Sequence, residues 1–384
     1  MNFDLSEDQI AIRDAVRELC EREFAPHAER WDREEIVPRE AVDKLADQGF
    51  LGMGIPETWG GVGYDYRTIS VVIEEIARVS AALAIMIAVH NSVGAMPIWR
   101  FGSEAQKKRF MPRLVTKELG AFCLSEPGAG SDAASIESFA VRDGDDYVLH
   151  GAKNWVTNGA RAGVFLVFAK TDRTAGHRGI TAFIVERGAT GLVLGKPEDK
   201  MGLRGSDTVA LSLEDLRVPA DQRLGEEGDG FKIAMGMLDT GRIGVAAQAL
   251  GVMRAGFEEA VRYAQQRRAF GGPLAKLQAV QFKLAEMERR IQCSRLLIQR
   301  AAWLKDVDRP HARAASMAKL YASEAATWVS HQAIQIHGGY GYVKEYPVER
   351  YYRDVRVMEI YEGASEIQRL VIARSLLKDG VAAD

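Results

Sequence analysis

Two changes of hydrophobic period, one at Gly120 and one at Gly230, do most to limit what this chain can fold into. Ahead of the first, apolar residues recur at helical spacing. Ser6 and Gln9 have capping-box spacing before Ile10, Ile12, Val16, Leu19 and Phe24, until Pro26 interrupts. Pro38 opens a second helix carrying Val42, Leu45 and Phe50, with Gly49 placed as its C-cap. Residues 68–89 are apolar nearly all round, which predicts one buried helix, and Ser103 caps another that runs to Leu114. Over 121–219 the pattern becomes short β-rich runs between turn signals. Asp143-Gly144, between Val141 and Val148, predicts a hairpin, and 164–168 and 180–185 read as strands buried on both faces. Beyond Gly230, stretches 231–268, 277–305, 312–336 and 346–360 are helical again, broken by turns bearing glycine or proline. The expectation is an α+β protein in three parts. These are an N-terminal helical domain over 1–120, a middle β-barrel or sandwich over 121–229, and a C-terminal four-helix bundle over 230–384.

Composition narrows the function classes. A formal net charge of −3 over 384 residues offers no electrostatic footprint for nucleic acid or an anionic membrane. The apolar run Ala81–Val89 is too short to span a bilayer. The start, Met1 to Leu5, has neither a basic nor an apolar leader pattern, so no secretory signal is expected. Three widely spaced cysteines, Cys20, Cys123 and Cys293, point to reduced thiols and a cytoplasmic protein. The seven histidines form no HExxH, so no metal site is expected, and His337 reads as structural.

Four stretches carry residue types suited to chemistry. At 360–369, Glu362 stands at a break between two helices beside Gly363, and Ser365 lies three residues ahead of Gln368 at capping-box spacing. A first-turn glutamate that only favours the helix dipole is the plainer alternative. The run 122–132 is a glycine- and serine-bearing loop able to present N–H groups and hydroxyls to phosphate or to a heterocycle edge. Its Gly128-x-Gly130 lacks the βαβ context of a dinucleotide fingerprint, so a plain loop stays open beside that reading. Trp155 ends a β run, where a core tryptophan in a hairpin is the simpler account. Arg267 and Arg268 end a long helix as dipole partners, and Asp239 and Arg242 have the spacing of a surface ion pair.

Read together, Tyr361-Glu362-Gly363-Ala364-Ser365-Glu366-Ile367-Gln368-Arg369 and the 122–132 loop resemble the acyl-CoA dehydrogenases, and the likeness runs through nearly the whole chain. The resemblance implies a β domain held between two helical ones, FAD as cofactor, and Glu362 as the base that removes the α-proton of an acyl-CoA thioester. It carries over Phe122, Cys123, Leu124, Ser125, Glu126, Pro127, Gly128, Ala129, Gly130 and Ser131 as cofactor contacts. Trp155, Val156 and Thr157 join them along the flavin, as do Arg267 at the pyrophosphate, Phe270 and Gln278. Gln335, Ile336, His337, Gly338 and Gly339 match a segment that reaches the FAD of a neighbouring subunit, which implies a homotetramer built as a dimer of dimers. Ala364, Ser365 and Glu366 complete the cofactor set; the family usually has threonine at Ala364, and leucine or phenylalanine at His337. Ser131, Asp239, Thr240, Gly241, Arg242 and Gly363 are implied for the acyl-CoA. Some relatives keep their base on the helix of Gly241, and here that position has no side chain.

The implied reaction is dehydrogenation of a short- to medium-chain acyl-CoA to the trans-2-enoyl-CoA, with electrons passed to an electron-transferring flavoprotein. An oxidase using dioxygen and a non-catalytic flavin-binding scaffold are the alternatives.

Overall fold

The computed structural model describes residues 4–379. Helix α1 (Glu7–Glu23) starts at the predicted capping box, with Ser6 Oγ accepting the Gln9 N–H and the Gln9 side chain accepting the Ser6 N–H. Pro26 then turns the chain into a short helix, α2 (Ala28–Arg33), which the periodicity does not reveal. Helix α3 (Arg39–Asp47) follows Pro38 and is left through Gly49, whose φ of +78° only glycine adopts freely.

The single helix expected over 68–89 is two, α4 (Tyr66–Val79) and α5 (Ala81–Val89). Ser80 between them has extended backbone, and its hydroxyl accepts the Leu83 N–H at 3.3 Å. A serine that caps the next helix ends the one before it. After α5 the chain continues through a π-turn, His90–Ala95, into α6 (Met96–Phe101). That corrects the length argument, because Ala81–Phe101 is 21 residues at mean hydropathy 1.6, long and apolar enough to cross a membrane. In this fold 89% of its apolar window is buried. Helix α7 (Glu104–Leu114) closes the first helical part behind its own capping box, Ser103 with Gln106.

Eight strands follow: β1 (Gly120–Cys123), β2 (Phe139–Asp143), β3 (Asp146–Thr157), β4 (Val164–Lys170), β5 (Ile180–Glu186), β6 (Leu192–Pro197), β7 (Thr208–Pro219) and β8 (Arg223–Leu224). Their order is β6-β7-β3-β2-β4-β5-β8, with β1 parallel to β4. The predicted hairpin joins β2 to β3, pairing Asp143 with Asp146 across Gly144. A single bridge, Phe139 to Lys170, links the two halves of the sheet. The inner faces of β3 and β7 pack on those of β4 and β5, with Tyr147 edge-on to Phe183 at 5.0 Å. The other face of β4, Val164, Leu166 and Phe168, lies against Phe110, Met111 and Leu114 of α7. This is why both faces of that strand are apolar.

The last part holds α8 (Gly230–Gln266), α9 (Gln278–Asp306), α10 (Ala312–His337), α11 (Val348–Val355) and α12 (Ser365–Asp379). The fourth predicted stretch is shorter than its periodicity suggests, since a 3₁₀ turn, Arg356–Glu359, replaces helix after α11. One hydrophobic core joins Val72 and Ile76 of α4 to Ala246 and Leu250 of α8 and Ala318 and Ala322 of α10. The backbone of the π-turn crosses β1 at Gly94 and Gly120, where a Cβ on either glycine would lie within 3 Å of the other's backbone. His90 fastens the crossing, its Nδ1 accepting the Gly120 N–H at 2.8 Å and its Nε2 on the Leu51 carbonyl at 2.9 Å.

Candidate active site

Glu362 and Gly363 both have left-handed backbone, with φ of +53° and +92°. For a residue with a side chain that conformation is uphill and persists only when its surroundings hold it. Three anchors hold this turn. Gln368 Nε2 donates to the carbonyls of Glu362 (3.2 Å) and Gly363 (2.8 Å), Lys319 Nζ donates to the same Gly363 carbonyl (2.7 Å), and Tyr361 OH donates to Gln248 on α8. The expected Ser365–Gln368 capping box is therefore not made. Helix α12 already begins at Ser365, Ala364 accepts the Gln368 N–H at 3.0 Å, and the Gln368 side chain turns back to the preceding turn. Ser365 Oγ is buried without a partner among the described residues.

The Glu362 side chain faces α8. A Cβ on Gly241 would lie 2.7 Å from Glu362 Oε2, so the bare glycine is what admits the carboxylate there. Among the described residues, Oε2 is sealed from solvent and accepts no hydrogen bond. Burial pushes the Glu362 carboxyl up to about 7, against the pull of Arg242 and Lys319. Asp239 and Arg242 are not a surface pair. Arg242 is 5% exposed, and its Nη1 donates to Asp239 Oδ1 at 2.6 Å and to Ser316 Oγ at 3.3 Å. Thr240 is buried, its hydroxyl without a partner among the described residues, and with Ile243, Gly244, Ile69 and Met96 it lines a small apolar pocket of about 30 Å³.

Lys319 is the site residue that motif reading misses. It stands in an alanine-rich helix, yet its place on the stripe Ala315, Lys319, Ala322, Ala326 marks a charge aimed into the core, and that spacing was a usable signal. Gln248, on the buried face of α8, gives no comparable signal.

The implied cofactor residues fall into separate groups. Loop 122–131 and the end of β3 meet, with the Asn154 N–H on the Ser125 carbonyl at 2.9 Å and Lys153 Nζ on Glu126 Oε1 at 2.6 Å. Burial raises the Glu126 carboxyl, but Lys153 and the Ser138 and Glu137 N–H groups outweigh it and hold the acid ionised. Cys123, Leu124, Glu126, Ala129 and Val156 turn inward, so what they offer a ligand is backbone; burial lifts the Cys123 thiol to about 12 and leaves it inert. Phe122 packs on Phe168 at 4.9 Å, while Ser131, Pro127, Gly128 and Gly130 are exposed. Trp155 is not a core residue. It is 62% exposed at a left-handed φ of +61°. Thr157 is half-buried beside it in sequence.

Arg267, Ile336, His337, Gly338 and Gly339 line an open hollow of about 490 Å³ with Tyr263 and Tyr340, the Arg267 guanidinium 5.3 Å from the Tyr340 ring centre. His337 stacks on Tyr263 at 4.2 Å and its Nδ1 bonds the Ala333 carbonyl, the structural role expected of it. Gln335, Phe270 and Gln278 are exposed, Phe270 at 92%. The glycines carry open space where a Cβ would sit: Gly128, Gly130, Gly338 and Gly339 have no atom of the described residues within 4 Å of it. Open backbone, exposed aromatic faces and a guanidinium over a hollow are a donor set that fits the phosphates and flat rings of FAD.

Three family models cover nearly the whole chain: acyl-CoA dehydrogenase N-terminal domain over 6–118, middle domain over 121–216 and C-terminal domain over 228–377. The chain is 50% identical over 378 residues to the mitochondrial short-chain specific acyl-CoA dehydrogenase of Mus musculus, covering 98% of this chain and 92% of that one. Its fold is similar to that of butyryl-CoA dehydrogenase from Megasphaera elsdenii, with TM-score 0.97, 44% identity, and 98% and 100% of the two chains covered. It is also similar to an acyl-CoA dehydrogenase from Bacillus anthracis complexed with FAD, with TM-score 0.92, 33% identity, and 98% and 68% covered.

Proposed function

Because the chain belongs to the acyl-CoA dehydrogenase family, we propose that it is an FAD-dependent enzyme removing the α and β hydrogens of a short-chain acyl-CoA, with Glu362 as the base. The observation that carries this is the sealed, unpartnered Glu362 Oε2 facing a helix whose glycine leaves room for it. A carboxyl held near 7 is matched to proton abstraction near neutral pH. The α-proton passes to Glu362, while Arg242 and Lys319 oppose the burial that would keep the acid protonated. When bound, FAD supplies the two-electron acceptor for the hydride lost from the β-carbon. Loop 122–131, Trp155, Val156 and Thr157 would hold its rings, and Arg267, Phe270, Gln278, Gln335, Ile336, His337, Gly338 and Gly339 its nucleotide end. Ala364, Ser365 and Glu366 border the same cofactor, and Ser131, Asp239, Thr240, Gly241, Arg242 and Gly363 face the acyl-CoA.

The small apolar pocket beside Thr240, next to Gly241 along α8, supports a short acyl chain. The exposed Arg267 hollow and Phe270 support a shared cofactor and a homotetramer built as a dimer of dimers. Electrons would leave to an electron-transferring flavoprotein. The domain bounds 1–120, 121–229 and 230–384 and a cytoplasmic location belong to the same proposal.

The test is the flavin spectrum of the purified protein before and after anaerobic butyryl-CoA. Bleaching, with slow recovery in air, is expected. Rapid turnover with dioxygen alone would mean an oxidase, and no bleaching by any acyl-CoA would mean a binding scaffold.

A further inference from the structure

We propose that Lys319 is a positioning residue for Glu362: its ammonium clamps the Gly363 carbonyl behind the base and, beside Arg242, sets a second positive charge close to the buried carboxyl. The inference rests on the reading of Glu362 as the base. Lys319 is fully buried on the alanine face of α10, a place where a lysine is costly without compensation. Its one bond to the Gly363 carbonyl does not explain the charge, because Gln368 Nε2 anchors the same carbonyl with a neutral donor. What the neutral donor cannot supply is a field at the carboxylate.

The charged groups around Lys319 come from four elements: Glu362 on the turn, Arg242 on α8, Glu359 on the 3₁₀ turn and Glu366 on α12. Glu359 accepts the Thr327 hydroxyl, and Arg242 is shared with Asp239 at 2.6 Å. Lys319 is thus the cation whose principal charge partner is Glu362. Burial pushes the ammonium down to about 8, with Glu362 pulling it back up, so it still carries its charge at neutral pH. Removing a nearby opposite charge raises a carboxylate by about one unit or more.

The experiment compares the flavin-bound wild type with Lys319→Gln, Lys319→Met and Lys319→Arg. Glutamine keeps a donor for the Gly363 carbonyl and loses the charge, methionine loses both, and arginine keeps the charge. Infrared titration of the Glu362 carboxyl, identified as the band missing in Glu362→Gln, reads its ionisation without turnover. The expected result is a midpoint about one pH unit higher in the Gln and Met variants and at the wild-type position in Arg. Bleaching by subsaturating butyryl-CoA should then fall about 10-fold at pH 6 in Lys319→Gln and stay near wild type at pH 9, since only the fraction of ionised base has changed. A midpoint unmoved in Lys319→Gln, or a loss of rate equal at both pH values, would overturn the proposal. Should methionine prevent folding, the glutamine variant decides. Absence of bleaching in the wild type would count against the acyl-CoA reading, while the infrared midpoints would still decide the role of Lys319.

Discussion

Replacing Glu362 with Gln should make the protein more stable and nearly inactive, with the stability gain confined to neutral and alkaline pH. Burial raises the Glu362 carboxyl from 4.5 to about 7. A carboxyl raised on folding binds more protons in the folded than in the unfolded state between those values, so stability falls as pH rises through that window. At pH 8 the ionised acid costs the fold about 3.3 kcal/mol relative to a neutral side chain, and at pH 5 only about 0.8 kcal/mol. Glutamine stays neutral and close in shape, so it escapes this cost. The difference, about 2.5 kcal/mol, corresponds to about 3 °C for a chain of this length at about 2.1 cal/mol/K per residue. Calorimetry of both flavin-bound proteins at pH 5 and pH 8 should show the glutamine variant melting higher by about 4 °C at pH 8 and by about 1 °C at pH 5. Anaerobic bleaching by butyryl-CoA should slow by about 10²-fold or more for want of the base. A glutamine variant that melts lower at pH 8, or by the same margin at both pH values, would refute the claim that the carboxylate is held against its burial.

Other substitutions test the surroundings of this site. Gly241→Ala places a Cβ 2.7 Å from Glu362 Oε2, so bleaching should slow by about 10-fold from a displaced base while Tm holds or rises, alanine being the better helix former by about 1 kcal/mol. Lys153→Met leaves the buried Glu126 without its countercharge, only the Ser138 and Glu137 N–H groups opposing it, a loss of about 3–5 kcal/mol in urea unfolding that Lys153→Met with Glu126→Gln should partly restore. His90 is pushed down to about 4 by burial, so its support is full above about 6.5 and fades as pH falls toward 4; His90→Leu should remove that acid-dependent loss and cost about 2–4 kcal/mol at pH 7 in urea unfolding.

Much of this fold is legible along the chain because its signals are local. The capping box at Ser6, the cap at Ser103, the turn at Gly144 and the doubly apolar run of β4 depend on neighbours within a few residues, and each forms where its spacing says. Glu362 stands out in the same way, as a motif at a helix junction. What the chain leaves open is set by groups far apart in sequence. Ser80 splits a run that looks continuous, and Gln368 gives up a local cap because the carbonyls of Glu362 and Gly363 need its amide. Trp155 looks like a core residue until the left-handed turn at the end of β3 sends it outward. Arg242 and Asp239 look like a surface pair until α10 covers them with Ser316. The protonation of Glu362 belongs wholly to the tertiary structure. The same residue in solution would ionise near 4.5, and only α8 on one side and Lys319 on the other bring it to about 7, because burial and the field of distant charges exist only once the chain has closed around it.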